Sequence, residues 1–320
     1  MSSIRSISDA GAYTVVGGGI MDREQKDGSG LSIVLLNRGA KPFRTELFSE
    51  LCKLGVREVI SIESGPCPYD VDLLAKRYER LRFMIFAQDS SIGARIDAAF
   101  RESMSDYVFV LQGDMKITAS AISSRVFSKI SDRARLCTVP VFRDDDDELL
   151  PSAMAPVLSK DGRFDVQPMR PEGAEAPTVM PWDYAGIYNK ERHFAIGGFD
   201  SAIPEPWWQK LEYGMRAWLW GEEIRTHSAL KMGYMEEIPP EDTSVGFGYR
   251  RFFLKTLAVK RRGDSTRLPL SRWWLYLRTS GENSRAAKDS WKDVRKWVRS
   301  NRYRFTLDAA GLIELWDWRD

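Results

Sequence analysis

The sequence predicts an α/β protein: a mostly parallel, Rossmann-like sheet with helices on both faces, followed by a helical, basic C-terminal extension. Three observations predict it. From Leu31 onward, short apolar runs alternate with segments of helical periodicity. The runs are apolar at successive positions rather than alternate ones, as in strands buried on both faces. Each run ends on polar residues, which is where open α/β sheets bind their ligands.

The elements follow in order. Residues 1–30 are rich in Ser and Gly and read as a flexible leader with one added strand at Tyr13–Val16. Ser32–Leu36 is the first buried strand, bounded by Gly30 and Asn37. Pro42 opens a helix through Leu54, with Phe43, Leu47, Leu51 and Leu54 on one face and Gly55 as its stop. Glu58–Ile62 is a strand, Val71–Tyr78 a helix, Leu81–Phe86 a strand, Ile92–Glu102 a helix and Tyr107–Leu111 a strand. Strand and helix in alternation call for parallel pairing through crossovers. The strand ends carry Asn37-Arg38, Glu63-Ser64, Gln88-Asp89 and Gln112-Gly113-Asp114.

Composition narrows the function classes. Three cysteines (Cys52, Cys67, Cys137) at unrelated spacings argue against a disulfide framework or zinc site and fit a cytoplasmic protein. Two histidines, His193 and His227, exclude a histidine-rich metal centre. No basic-then-apolar N-terminal signal and no run of ~18 apolar residues is present. The net charge of +2 conceals a polarity: Arg250–Arg304 holds 17 Lys/Arg against four acids, a surplus of 13, leaving −11 elsewhere. Such a block points to an anionic partner.

Three local signatures resemble inverting family 2 glycosyltransferases of the GT-A fold. One is Ser91-Ile92-Gly93-Ala94-Arg95-Ile96-Asp97 followed by the apolar strand ending at Asp114. The second is Gly197-Gly198-Phe199-Asp200. The third is Gln209-Lys210-Leu211-Glu212-Tyr213-Gly214-Met215-Arg216, where the family usually has Glu-Asp-x-Asp-Leu-x-x-Arg. The resemblance covers Leu31 to Tyr234, within a nucleotide-sugar and acceptor domain of residues 31–249, and leaves 250–320 as the extension.

The resemblance implies transfer of a sugar, with inversion, from a nucleoside-diphosphate sugar to a glycan, a lipid-linked sugar or a protein. It implies that Asp114 holds a divalent cation, Mn²⁺ or Mg²⁺, against the diphosphate. Hard oxygen ligands suit those ions, and the cation offsets charge on the leaving group. It places Arg95 near the diphosphate, where a guanidinium fork matches phosphate oxygens, and Glu63 at the base. Gln112 stands where the family's first Asp touches the ribose, and still offers hydrogen bonds. Asp200 falls in the donor- and acceptor-side loop. Lys210 occupies the position of the usual base, so Glu212 becomes the candidate general base, with Glu205 in the same loop.

Each of these residues also has an ordinary reading. Asp114 suits a turn or helix cap, Arg95 a surface ion pair, Glu63 the start of a turn and Glu212 a solvated helix face. Asp200 suits a plain loop with Phe199 in the core, His227 a packing role and Asp144–Glu148 a solvated loop. Gln112 and Lys210, both at positions normally acidic, motivate an alternative function: a catalytically degenerate GT-A-like binding or scaffold protein. A sugar nucleotidyltransferase is a weaker alternative, since Asn37-Arg38-Gly39 is a poor phosphate loop.

In the extension, Trp291, Val294, Trp297 and Val298 recur at helical spacing among bases. Such a helix either lies at a membrane interface, giving peripheral contact at the inner face, or packs on the catalytic domain with its bases in water. The second is the default expectation. Nucleic acid is disfavoured because no recognised binding motif accompanies the charge.

Overall fold

The computed structural model describes residues 3–7, 10–18, 30–37, 45–67, 69–117, 119–159, 163–235, 237, 240–279 and 284–316. Pro42 and Phe43 of the predicted first helix, Arg38-Gly39 and most of the leader lie outside the described residues.

The chain runs β1 (Ser3–Ile7), β2 (Gly11–Gly17), β3 (Leu31–Leu36), α1 (Thr45–Lys53), β4 (Val59–Ser64), α2 (Val71–Arg77), β5 (Leu81–Phe86), α3 (Ile92–Glu102) and β6 (Tyr107–Gln112). Next come β7 (Met115–Ile117), α4 (Ser124–Arg133), β8 (Cys137–Phe142), β9 (Ala153–Leu158), β10 (Phe164–Met169), β11 (Gly186–Asn189), α5 (Lys190–Ala195), α6 (Pro206–Leu219) and β12 (Ile224–Tyr234). The extension holds α7 (Phe247–Phe252), a π-helical turn (Phe253–Leu257), the hairpin β13 (Lys260–Arg262) and β14 (Ser265–Arg267), α8 (Ser271–Thr279), α9 (Ser284–Ser300) and α10 (Ala309–Trp316).

One sheet has the order β1-β2-β5-β4-β3-β6-β11-β8-β12-β7. Its centre, β5-β4-β3-β6, is parallel, and β8 pairs parallel with β12. β11 sits antiparallel between β6 and β8, and β7 is antiparallel to β12. Two N-terminal strands, one more than predicted, extend the other edge antiparallel.

Successive residues of β3 face opposite cores, which explains its unbroken apolar run. Val34 and Leu36 join the cluster under α3, with Ile96 and Phe100. Ile33 and Leu35 join the cluster under α1 and α4, with Phe48, Leu51 and Ile130. A third cluster binds the extension to α6: Leu211, Met215 and Trp218 meet Trp291, Val294, Val298, Leu312 and Trp316. Trp218 meets Trp316 edge-on at 4.9 Å, and Trp220 stacks on Trp297 at 5.7 Å. The aromatic stripe of α9 is therefore consumed by packing, and its bases project outward.

Candidate functional site

The parallel strands deliver their polar ends to one edge. Glu63 is the penultimate residue of β4, 2% exposed, and its carboxylate accepts from Asn37 Nδ2 at 3.1 Å and Ser61 Oγ at 2.5 Å. Arg95 lies in the first turn of α3, whose start is capped by Ser91 Oγ accepting from Ala94 N at 3.3 Å. Arg95 Nη1 donates to Ser64 Oγ at 2.7 Å and Nε to Ser90 Oγ at 3.1 Å. Its guanidinium lies 5.4 Å from the Phe86 ring centroid. Burial lowers its pKa, with Asp89 opposing the shift. Glu63, Arg95 and their partners thus come together across the ends of β4 and β5.

Gln112 ends β6 and is buried. Its Nε2 donates to the backbone oxygen and Oδ1 of Asp183, both at 3.3 Å. Tyr234 OH donates to Asp183 Oδ2 at 3.2 Å and accepts from Trp182 Nε1 at 2.8 Å. Asp183 and Tyr184 both adopt left-handed backbone conformations, φ 53° and 61°. Each costs about 1–3 kcal/mol for a non-glycine residue and persists only when its surroundings enforce it. Here the Gln112 and Tyr234 bonds hold Asp183, and Tyr184 OH donates to Gln209 Oε1 at 2.8 Å. Asp114 follows in the turn to β7, half-buried, its backbone oxygen accepting from Met235 N at 2.8 Å. Among the described residues no three His, Cys, Asp or Glu side chains cluster as metal ligands.

The acceptor-side residues divide. Gln209 ties α6 to α3: Oε1 accepts from Gly93 N at 2.8 Å, and Nε2 donates to Ser91 Oγ at 3.0 Å. Gly93 must be glycine here, because a Cβ would lie 2.4 Å from Phe199 Cβ. Lys210, 1% exposed, pairs with Glu241, and its Nζ lies 5.3 Å from the Tyr184 ring centroid.

Glu212 is placed elsewhere. It is fully buried, its oxygens held by Arg216 Nε at 2.8 Å, Arg216 Nη2 at 2.9 Å and Lys255 Nζ at 2.6 Å. Asp200 belongs to the same cluster, accepting from Lys255 Nζ and Arg251 Nε, both at 2.7 Å. Burial opposes ionisation of both acids, but the cations prevail. Lys255 and Arg251 hold Asp200 well below the usual range, and Arg216 and Lys255 hold Glu212 low. Arg216 also donates to the backbone oxygen of Gly198 at 2.7 Å, so this cluster locks the Gly197–Asp200 loop to α6 and the extension. Glu205 accepts from Gly248 N at 3.1 Å. His227 stands seven residues before Tyr234 on β12, where burial lowers its pKa and Glu175 opposes, away from Asp114.

Asp183, Tyr234 and Glu241 are the residues that sequence reasoning missed. Nothing local in Trp182-Asp183-Tyr184 announces its left-handed turn. Glu241 meets Lys210 only through the tertiary fold.

No protein-family profile matches the chain, and no curated protein does. Solved structures do resemble it. GalNAc-T7, in a crystal structure with UDP, GalNAc and Mn²⁺, aligns with TM-score 0.55 at 11% identity, over 85% of this chain. This chain spans 57% of the GalNAc-T7 chain. Staphylococcus aureus TarS, residues 1–349 in complex with UDP-GlcNAc, aligns with TM-score 0.50 at 13% identity, over 85% of this chain and 74% of its own. Both are GT-A-type glycosyltransferases. Central parallel sheet, helices on both faces and these two likenesses agree: the chain has the GT-A glycosyltransferase fold.

Proposed function

We propose that the protein is a glycosyltransferase that moves a sugar from a nucleoside-diphosphate sugar to a glycan, lipid-linked or protein acceptor with inversion. The observation that supports it best is the convergence of Glu63, Arg95, the Gln112–Asp183 pair and Asp114 at one end of the parallel strands. The similar structures, with UDP in one and UDP-GlcNAc in the other, add support for a nucleotide-sugar donor.

In this reading Glu63 accepts the imide N–H of the base, and Arg95 binds diphosphate oxygens. Gln112 and Asp183 bond the ribose. A divalent cation would be held by Asp114 with diphosphate oxygens and water, which suits a hard ion that keeps part of its hydration shell. It would neutralise charge on the departing diphosphate. Glu212 is committed to Arg216 and Lys255, so it braces α6. A base must reach the acceptor hydroxyl. Glu241, with an 18% exposed side chain paired to Lys210, takes that role. The basic extension faces an anionic surface.

The test is binding and turnover with UDP-, GDP- and dTDP-sugars in Mn²⁺. Saturable binding of one donor, lost in Asp114→Ala, is expected. No binding across the panel would defeat the reading. The degenerate-scaffold alternative keeps one observation in its favour, the Lys210–Glu241 pair at the base position. It predicts donor binding without transfer to any acceptor.

A further inference from the structure

A second concavity lies entirely within the extension. It is an open cleft of about 830 Å³ between the β13–β14 hairpin and the outward face of α9. Arg267, Lys292, Arg295, Lys296, Arg299 and Arg302 line it, and among the described residues no acid does. Lys292 lies 4.0 Å from Asp289, and Arg302 donates to Tyr303 OH at 3.1 Å. Like charges gathered this closely repel unless an anion sits among them. Thr266 lines the same cleft, 3% exposed, and its Oγ1 has no hydrogen-bond partner among the described residues. A buried hydroxyl without a partner is costly, and a phosphate oxygen would satisfy it.

The rim adds a second chemistry. Leu270 is 63% exposed, Trp274 67% and Tyr303 69%. Leu270 immediately precedes α8 and Trp274 lies in its first turn, so the two exposed side chains stand at the same end of that helix. A soluble polyanion needs no exposed leucine and tryptophan beside its cations. A bilayer does: cations meet headgroup phosphates while the apolar side chains enter the boundary below. No helix among the described residues is long and apolar enough to cross a membrane, so contact of this kind is peripheral.

We propose that this cleft binds the phosphate headgroups of anionic phospholipids, with Leu270 and Trp274 entering the interface. The inference rests on the anionic contact proposed above for the extension, and gives it a site and a ligand class. It differs from a simple amphipathic-helix contact because the apolar stripe of α9 is already buried, Trp291 against Trp273 and Tyr276 and Trp297 against Trp220.

The test uses the full chain and sedimentation with vesicles of phosphatidylcholine alone or with about a third phosphatidylglycerol. Binding to the mixed vesicles only is expected. The pair Arg295→Glu and Arg299→Glu, both exposed, should weaken it by at least about tenfold. Leu270→Ser with Trp274→Ser should weaken vesicle binding but leave binding to soluble polyphosphate unchanged. Equal binding to both vesicle types, unaltered binding in the charge-reversed variant, or polyphosphate binding without vesicle binding would each overturn the proposal. Donor binding measured on the same preparations separates the readings. If vesicles bind and no nucleotide sugar does, only the donor reading fails; if nucleotide binds and vesicles do not, only the lipid cleft fails.

Discussion

Two groups of acids have opposite environments. At the strand ends, Glu63 accepts from Asn37 and Ser61, and Asp183 from Gln112 and Tyr234, all neutral donors. In the interior, Asp200 and Glu212 are surrounded by Arg216, Lys255 and Arg251. Neutral donors leave a carboxylate able to take a cation or a ligand proton. Two fixed cations on one buried carboxylate, as on Asp200 and on Glu212, saturate it. Motif position alone does not separate an acid that works on a ligand from one that holds the scaffold; its partners do.

The comparison breaks most visibly at Glu212. Glu212→Ala leaves buried Arg216 without a carboxylate and Lys255 with Asp200 alone, and should cost about 3–5 kcal/mol of stability. Chemical denaturation measures it. A loss under about 1 kcal/mol would mean the interior cluster is not a brace.

Next in size is the acid response. Asp200 and Glu212 are held below their ordinary values by their cations. Their stabilisation is therefore complete above the unfolded carboxyl values near 4, and is lost as pH falls below them towards the folded values. Thermal unfolding from about pH 6 to 2 should show a steep acid limb. Glu212→Gln should flatten it.

At the strand ends the effects on stability shrink. Asp183→Ala removes the acceptor for Gln112 and Tyr234 and should cost about 1–3 kcal/mol, the left-handed backbone adding to the loss because alanine tolerates it less well than aspartate. Asp114→Ala should fall within about ±0.5 kcal/mol, as expected of a half-buried turn side chain, and should show instead in ligand binding. Glu241→Gln should lower sugar transfer by at least about a hundredfold while donor binding stays within about twofold.

The sheet was legible because its strands are buried on both faces and its helices carry clear apolar stripes. β5 and α3 fall where the periodicity put them, β4 starts one residue later and ends two later, and β6 ends one residue later. β1 was not legible: Ser-Ile-Arg-Ser-Ile is short and mostly polar, and gains its place by pairing with β2. The polar strand ends could be named as a ligand edge, but not the Asp183–Tyr234 network that completes it. Its parts lie 51 residues apart and meet through a left-handed turn without glycine. For the same reason the Glu212 cluster looked like a solvated helix face, because Lys255 approaches from the extension.

The most direct test of the central claim is calorimetric titration of nucleotide into the wild-type protein and Asp114→Ala, with and without Mn²⁺. The account predicts saturable, metal-dependent binding of a nucleoside diphosphate to the wild type and its loss in the variant, with both equally folded. Unchanged metal-dependent binding in Asp114→Ala, or no binding of any nucleotide to the wild type, would contradict it.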